Sequence, residues 1–195
     1  MIKLFVSFIF AILFVGCSSQ FELSKQDMQK TYYTQANIWF IKRASSYSDQ
    51  LNESVISSKY TASSINHKTR ILLPINSAIK VIKFVDNIIF FEYKNETYAY
   101  VRTKYGKHLS LANSFKSLFS QEKSKVKLTQ DILRGNIVEG MTKEEVFASR
   151  GFPPSHKTKS LANRSWNYWD SRRYRQHVIF SNNKVTEVLI NGRWR

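Results

Sequence analysis

Apolar and polar positions follow three different rhythms along this chain. From Leu4 to Val15 apolar residues run almost without interruption, and the run stops at Gly16-Cys17 before the polar Ser18-Ser19-Gln20. A run of that length suits the ~7–15 residues of a signal-peptide core and falls short of the ~20 needed for a membrane-spanning helix. Residues 18–30 are polar without sustained periodicity and predict the body of a tether. From Thr31 to about Arg102 the rhythm has period two. Tyr32-Tyr33-Thr34 with Asn37 to Ile41, a weaker stretch from Ser54 to Thr61, Ile71-Leu72-Leu73, Ala78 to Val85, Ile88 to Tyr93 and Thr97 to Arg102 read as strands. Pro74 to Ser77, Asp86-Asn87 and Lys94-Asn95-Glu96 supply turns between them. Short strands at this spacing predict a small barrel or rolled sheet.

The period then changes. Leu111, Phe115, Leu118 and Phe119 fall on one helical stripe after a capping Ser110, and that stripe is expected to pack on its own domain. The lysine-rich run from Glu122 to Lys127 reads as a solvated linker. Beyond it, Thr129 to Arg134 predicts a short helix closed by Gly135. Thr142-Lys143-Glu144-Glu145 predicts a capping box opening a second helix, stopped by a left-handed Gly151 with Pro153-Pro154 behind it. Ser165 to Asp170, Arg175 to Ser181 and Val185 to Asn191 read as strands, with Asn182-Asn183 as a tight hairpin. The fold class expected is therefore α+β. A β unit with a trailing helix occupies residues 31–121, a linker 122–127, and a helix–helix–three-strand unit residues 128–195.

Composition narrows the chemistry. One cysteine in 195 residues excludes an internal disulfide framework and a cysteine-based zinc site. Six glycines without a clustered motif exclude a glycine-rich phosphate cradle. His67, His108, His156 and His177 are scattered, and none shares a short motif with a carboxylate or nucleophile, so no enzyme, metal or cofactor is expected.

Two resemblances add to this reading. Residues 1–16 followed by Cys17-Ser18 resemble a bacterial lipoprotein signal, in which the cysteine is acylated and becomes the first mature residue. The resemblance implies an outer-membrane lipid anchor at Cys17 facing the periplasm, with residues 17–30 as tether; a cleaved secretory signal with an incidental cysteine, or an uncleaved anchor, is the competing reading. Gly140 to Val146, Gly151-Phe152-Pro153-Pro154, Trp166-Asn167-Tyr168-Trp169 and Val178 to Val185 together resemble the SmpA/OmlA, or BamE-like, family. That implies a BamE-like ααβββ domain over 128–195 that works through surfaces rather than chemistry. Tyr33 to Trp39 and Leu73 to Ser77 resemble, more distantly, an SH3-like barrel of envelope proteins.

The address changes the meaning of the charge. With 30 lysines and arginines against 14 acidic residues the net charge is +16, which in a cytosolic protein would point to nucleic acid. At the envelope the available anions are lipid headgroups and acidic protein faces, and nucleic acid is not an expected partner. The densest basic stretch is Arg172, Arg173 and Arg175 beside Trp166, Tyr168 and Trp169, within a span 150–195 carrying ten cations against Asp170 and Glu187. Each cation near an anionic leaflet contributes ~1 kcal/mol, enough to orient a tethered domain. The expected function is non-enzymatic binding or scaffolding in envelope assembly, with an envelope protein or anionic lipid as partner. Peptidoglycan binding through the SH3-like unit is the alternative. The Trp166/Tyr168 face is expected to be core rather than surface.

Overall fold

The computed structural model describes residues 21, 23–42, 58–64, 66–69, 71–104, 106, 108–169 and 174–191. Over these the chain is α+β, with strands β1 (Thr31–Thr34), β2 (Ile38–Lys42), β3 (Tyr60–Ser63), β4 (Ile71–Leu73), β5 (Ala78–Val85), β6 (Ile88–Tyr93), β7 (Glu96–Val101) and β8 (Phe119–Ser120) in one curled sheet. Its order is β4-β2-β3-β7-β6-β5-β1-β8, a half-barrel in which β3 and β7 run parallel and the other paired strands antiparallel. Helices α1 (Lys25–Met28) and α2 (Leu111–Leu118) belong to this half. Helices α3 (Gln130–Arg134) and α4 (Lys143–Arg150) precede a three-stranded antiparallel meander, β9 (Ser165–Trp169), β10 (Arg175–Ser181) and β11 (Lys184–Asn191).

The turns follow from residues that tolerate positive φ. Lys94 and Asn95 (φ 51° and 60°) join β6 to β7, and Asn182 and Asn183 (48° and 63°) join β10 to β11, the paired positive values that match the twist of a two-residue hairpin. β5 departs from simple alternation. Ile79 and Val81 point inward, but a bulge between Val81 and Lys83 changes the phase, leaving Ile82 exposed and bringing Phe84 onto the core. β6 is buried on both faces: Ile89 and Phe91 enter the main core, while Ile88 and Phe90 pack with Ala99 on the other side. The main core is largely aromatic, with Phe40 edge-on to Tyr98 at 4.9 Å and Tyr32 edge-on to Phe115 at 5.2 Å.

The helical stripe predicted from spacing packs on this core, through Leu111, Phe115 and Leu118. Phe119 reaches it from β8 rather than from the helix, because the chain turns extended there and pairs with β1. The N-terminal described residues, read from sequence as part of a tether, form the short α1 capped by Ser24 and lay Phe21, Leu23 and Met28 against the same core. In segment 122–127 the Glu122 carbonyl accepts from Gln35 Nε2 at 2.9 Å and the Ser124 amide donates to Asn76 Oδ1 at 2.7 Å.

The second half packs around Ile132, Met141, Val146, Trp166, Tyr168, Val178, Phe180 and Val185, a core that Ile75 of the first half also enters. α4 opens as its sequence predicts: the Glu145 amide donates to Thr142 Oγ1 at 3.2 Å, and Glu145 Oε2 accepts from the Thr142 amide at 2.8 Å. Replacing Thr142 by Ala is expected to lower unfolding free energy by about 1 kcal/mol in equilibrium urea titration; a change under a few tenths would mean that the cap is redundant. Gly151 ends α4 differently from expectation. Its φ of 70° is positive, but ψ of −164° places it in the extended region open to glycine rather than in the left-handed helical one.

A buried polar seam joins the halves. Asn37, fully buried before β2, donates from Nδ2 to the carbonyls of Ile132 (2.5 Å) and Ser149 (3.3 Å) and accepts the Ile75 amide on Oδ1 (2.9 Å). Its own amide donates to the Ala148 carbonyl at 2.9 Å. Asn66 Nδ2 donates to the carbonyls of Asn37 (2.9 Å) and Arg150 (2.8 Å), while its Oδ1 accepts the Trp39 amide at 2.9 Å. Beside them the Trp39 indole lies against Gly135, whose φ of 67° ends α3 and where a Cβ would collide with the ring.

Candidate functional site

Strand alternation divides the aromatic residues of the meander, with Trp166 and Tyr168 on one face and Trp169 beside Arg175 on the other. Trp166 and Tyr168 point into the core at 3% and 2% exposure, as expected of that face. Trp169, one residue on, is turned outward and paired across the sheet with Arg175. The Arg175 guanidinium sits 4.4 Å from the Trp169 ring centroid, a distance at which the ring quadrupole attracts the cation. Desolvation at this place lowers the Arg175 pKa from its ordinary value. Cys17, Arg172 and Arg173 lie outside the described residues. The basic patch is therefore represented in the structure by Arg175 alone of its three arginines.

Two histidines that the linear sequence keeps far apart meet on the same indole. His156 stacks on Trp169 at 6.3 Å between centroids and 25° between planes, and His67 meets it edge-on at 5.9 Å. The His156 pKa is lowered, first by burial and then by the positive charges of Lys157 and Arg175. This face thus gathers Arg175 and His156 on one aromatic ring, with the Lys157 charge acting on His156, a geometry suited to an anionic or π-rich contact. His177 is occupied differently, with Nδ1 2.8 Å from Asn167 Oδ1 on the same sheet.

One cation counted with the patch from sequence belongs elsewhere. Arg150 is fully buried at the end of α4, donating from Nη2 to the Trp169 carbonyl at 2.7 Å, with its guanidinium 5.4 Å from the Trp39 ring and 5.7 Å from that of Tyr168. The Tyr168 hydroxyl donates to the Gly151 carbonyl at 2.9 Å, and burial pushes its pKa far above the usual phenol range. Lys143 is likewise committed to structure: its Nζ donates to the carbonyls of Leu161 (3.1 Å) and Asn163 (3.0 Å) and lies 5.3 Å from the rings of Trp166 and Phe180. Sequence reasoning missed the convergence of His67 and His156 on Trp169. The only signal for it was the outward phase of Trp169 in the alternating strand.

Between the halves runs an open cleft of about 580 Å³, with Phe147, Phe152 and Leu161 as apolar lining and Lys116 and Ser124 at its margin. Phe147 and Phe152 pack with ring centroids 4.4 Å apart. Among the described residues no group of three or more His, Cys, Asp or Glu is placed to hold a metal ion, and no helix is long and apolar enough to cross a membrane. No family model matches the chain, and no curated protein and no solved structure matches it either.

Proposed function

We propose that this chain is an outer-membrane lipoprotein that acts without catalysis, as a binding or scaffolding module of the cell envelope tethered through Cys17. The observation that carries the proposal is the position of the single cysteine, directly after the Leu4–Val15 run and its Gly16, where a signal peptide would be cut. Acylation of that thiol supplies stable anchoring, since each buried methylene contributes ~0.8 kcal/mol and several chains act together. The finer fold assignment belongs to the same proposal: an SH3-like first half, and a BamE-like second half supported by the order α3-α4-β9-β10-β11 and the family-like residues along it. Tethering sets the height of the molecule over the leaflet, and the Arg175, His156 and Trp169 face biases its orientation toward anionic headgroups or an acidic envelope protein.

Metabolic labelling with radioactive palmitate tests this directly. The full chain is expected to incorporate label and to fractionate with outer membrane, and Cys17→Ala to lose both. An unlabelled wild-type chain recovered from the cytosol would sink the proposal and return the net charge of +16 to consideration as a match for RNA or DNA.

A further inference from the structure

We propose that a second cleft, where the loop after β7 meets the loop between α4 and β9, is a binding site for a phosphomonoester. Lys104 and His108 line it from the first loop, and His156 and Lys159 from the second, with the hydroxyls of Ser155 and Ser160 between them. Among the described residues no carboxylate lines it. Each half of the molecule thus contributes one lysine and one histidine, and the site exists because the buried seam holds the halves together.

The volume argues for the class of ligand. At about 620 Å³ the cleft is larger than a bare oxyanion requires and lies within the ~300–1,000 Å³ of small-molecule sites. Leu161 and Ala162 add an apolar side wall suited to the carbon skeleton beside a phosphate. The lysines supply flexible point charges that follow phosphate oxygens without demanding a fixed fork.

His108 is an observation independent of net charge. Its Nε2 is buried and has no hydrogen-bond partner among the described residues, while the ring also bonds the backbone of Pro153. An unsatisfied buried nitrogen is costly, and since the His108 ring lines the cleft, a ring shift that brings a protonated Nε2 to a ligand oxygen removes that cost. Burial lowers the His108 pKa, the Pro153 bond opposing it, and burial with Lys157 and Arg175 lowers that of His156. A bound anion favours both charged forms and therefore raises both pKa values. The groups bearing on this titration are Lys104, His156 and Lys159 in the cleft wall, with Lys157 and Arg175 beyond His156.

The site does not depend on acylation of Cys17, and the two proposals fail separately: palmitate labelling reads one, ligand titration the other. The test uses the full chain in non-ionic detergent at physiological salt. Glycerol 3-phosphate is titrated while the histidine ring resonances are followed by NMR, with His177 as internal reference. In parallel, vesicles of phosphatidylcholine with and without phosphatidic acid present the same phosphomonoester on a lipid. Binding is expected to raise the His108 pKa, and Lys104→Ala/Lys159→Ala, shown by circular dichroism to be folded, to weaken affinity about tenfold or more, since two charge-assisted contacts are lost. Lys104→Arg/Lys159→Arg should retain binding. A response to glycerol 3-phosphate assigns a soluble ligand, and a response to phosphatidic acid alone assigns the lipid headgroup. No response to either, or equal affinity in the double-alanine variant, overturns the site.

Discussion

Replacing Asn37 by Ala should lower the stability of the protein by about 4 kcal/mol, one of the largest effects of any single side chain outside the aromatic core. The side chain is small, but every polar atom on it is used. Removing it strips the partner from the Ile75 amide and from the Ser149 carbonyl, and takes one of two donors from the Ile132 carbonyl, which keeps the Gly135 amide, all in a place with no exposure to water. Each buried group left unsatisfied costs ~1–3 kcal/mol, so the sum exceeds what an amide truncation costs at a surface. Asn37→Asp should be at least as damaging although it is nearly isosteric. It puts an acceptor where two carbonyls already converge, and a charge where none can be solvated. The measurement is equilibrium urea unfolding by fluorescence and far-UV circular dichroism, together with a Tm expected to fall by roughly 10 °C for a chain of this size. Asn113→Ala, on the exposed side of α2, is the control and should stay within ~0.5 kcal/mol. If Asn37→Ala lost less than 1 kcal/mol, the seam would not be holding the two halves together.

That seam also marks where reading the chain residue by residue stops working. The hairpin at Asn182-Asn183, the capping box of Thr142 and Glu145, the stripe of Leu111, Phe115 and Leu118, and the inward phase of Trp166 and Tyr168 are all local in sequence. Each can be read because its partners lie within a few positions or on one periodic face. Asn37 is bonded to residues 95 and 112 positions away, and a buried asparagine between strands has the same local signature as one in an open turn. The bulge in β5 is half visible: Val81 and Ile82 stand side by side as apolar neighbours in an otherwise alternating stretch, and pairing with β6 shows that the phase slips there. The histidines carry the same lesson for the site. His67, His108 and His156 come from three loops, and the meeting of His67 with His156 on Trp169, and of His108 with His156 in the second cleft, depends on how the halves dock, which no spacing rule encodes. Charge counting misplaced Arg150 because net charge is blind to burial.

Arg150 yields the second large effect, and a graded series of variants identifies what it does. Its guanidinium lies near the rings of Trp39 and Tyr168 and donates to the Trp169 carbonyl, so it serves as a planar filler between two aromatic rings as well as a hydrogen-bond donor. Arg150→Ala should cost about 4 kcal/mol, combining a large cavity with an orphaned Trp169 carbonyl. Arg150→Met should cost less than Arg150→Ala, because methionine fills the irregular slot between the rings although it cannot donate to the Trp169 carbonyl. Arg150→Lys should fall between them: the ammonium is more strongly hydrated, cannot lie flat between rings, and is expelled or neutralised when buried. The order Met, Lys, Ala, from least to most destabilised, is the expected result of urea titration on the three proteins. If lysine were better tolerated than methionine, the positive charge rather than the aromatic slot would be what the fold requires. The series reaches the surface as well. The carbonyl that Arg150 holds belongs to Trp169, whose indole carries Arg175 and His156 on the outer side of the sheet. A variant that releases that carbonyl should therefore loosen the basic face together with the seam, registering as a changed Trp169 environment in tryptophan fluorescence before the protein unfolds.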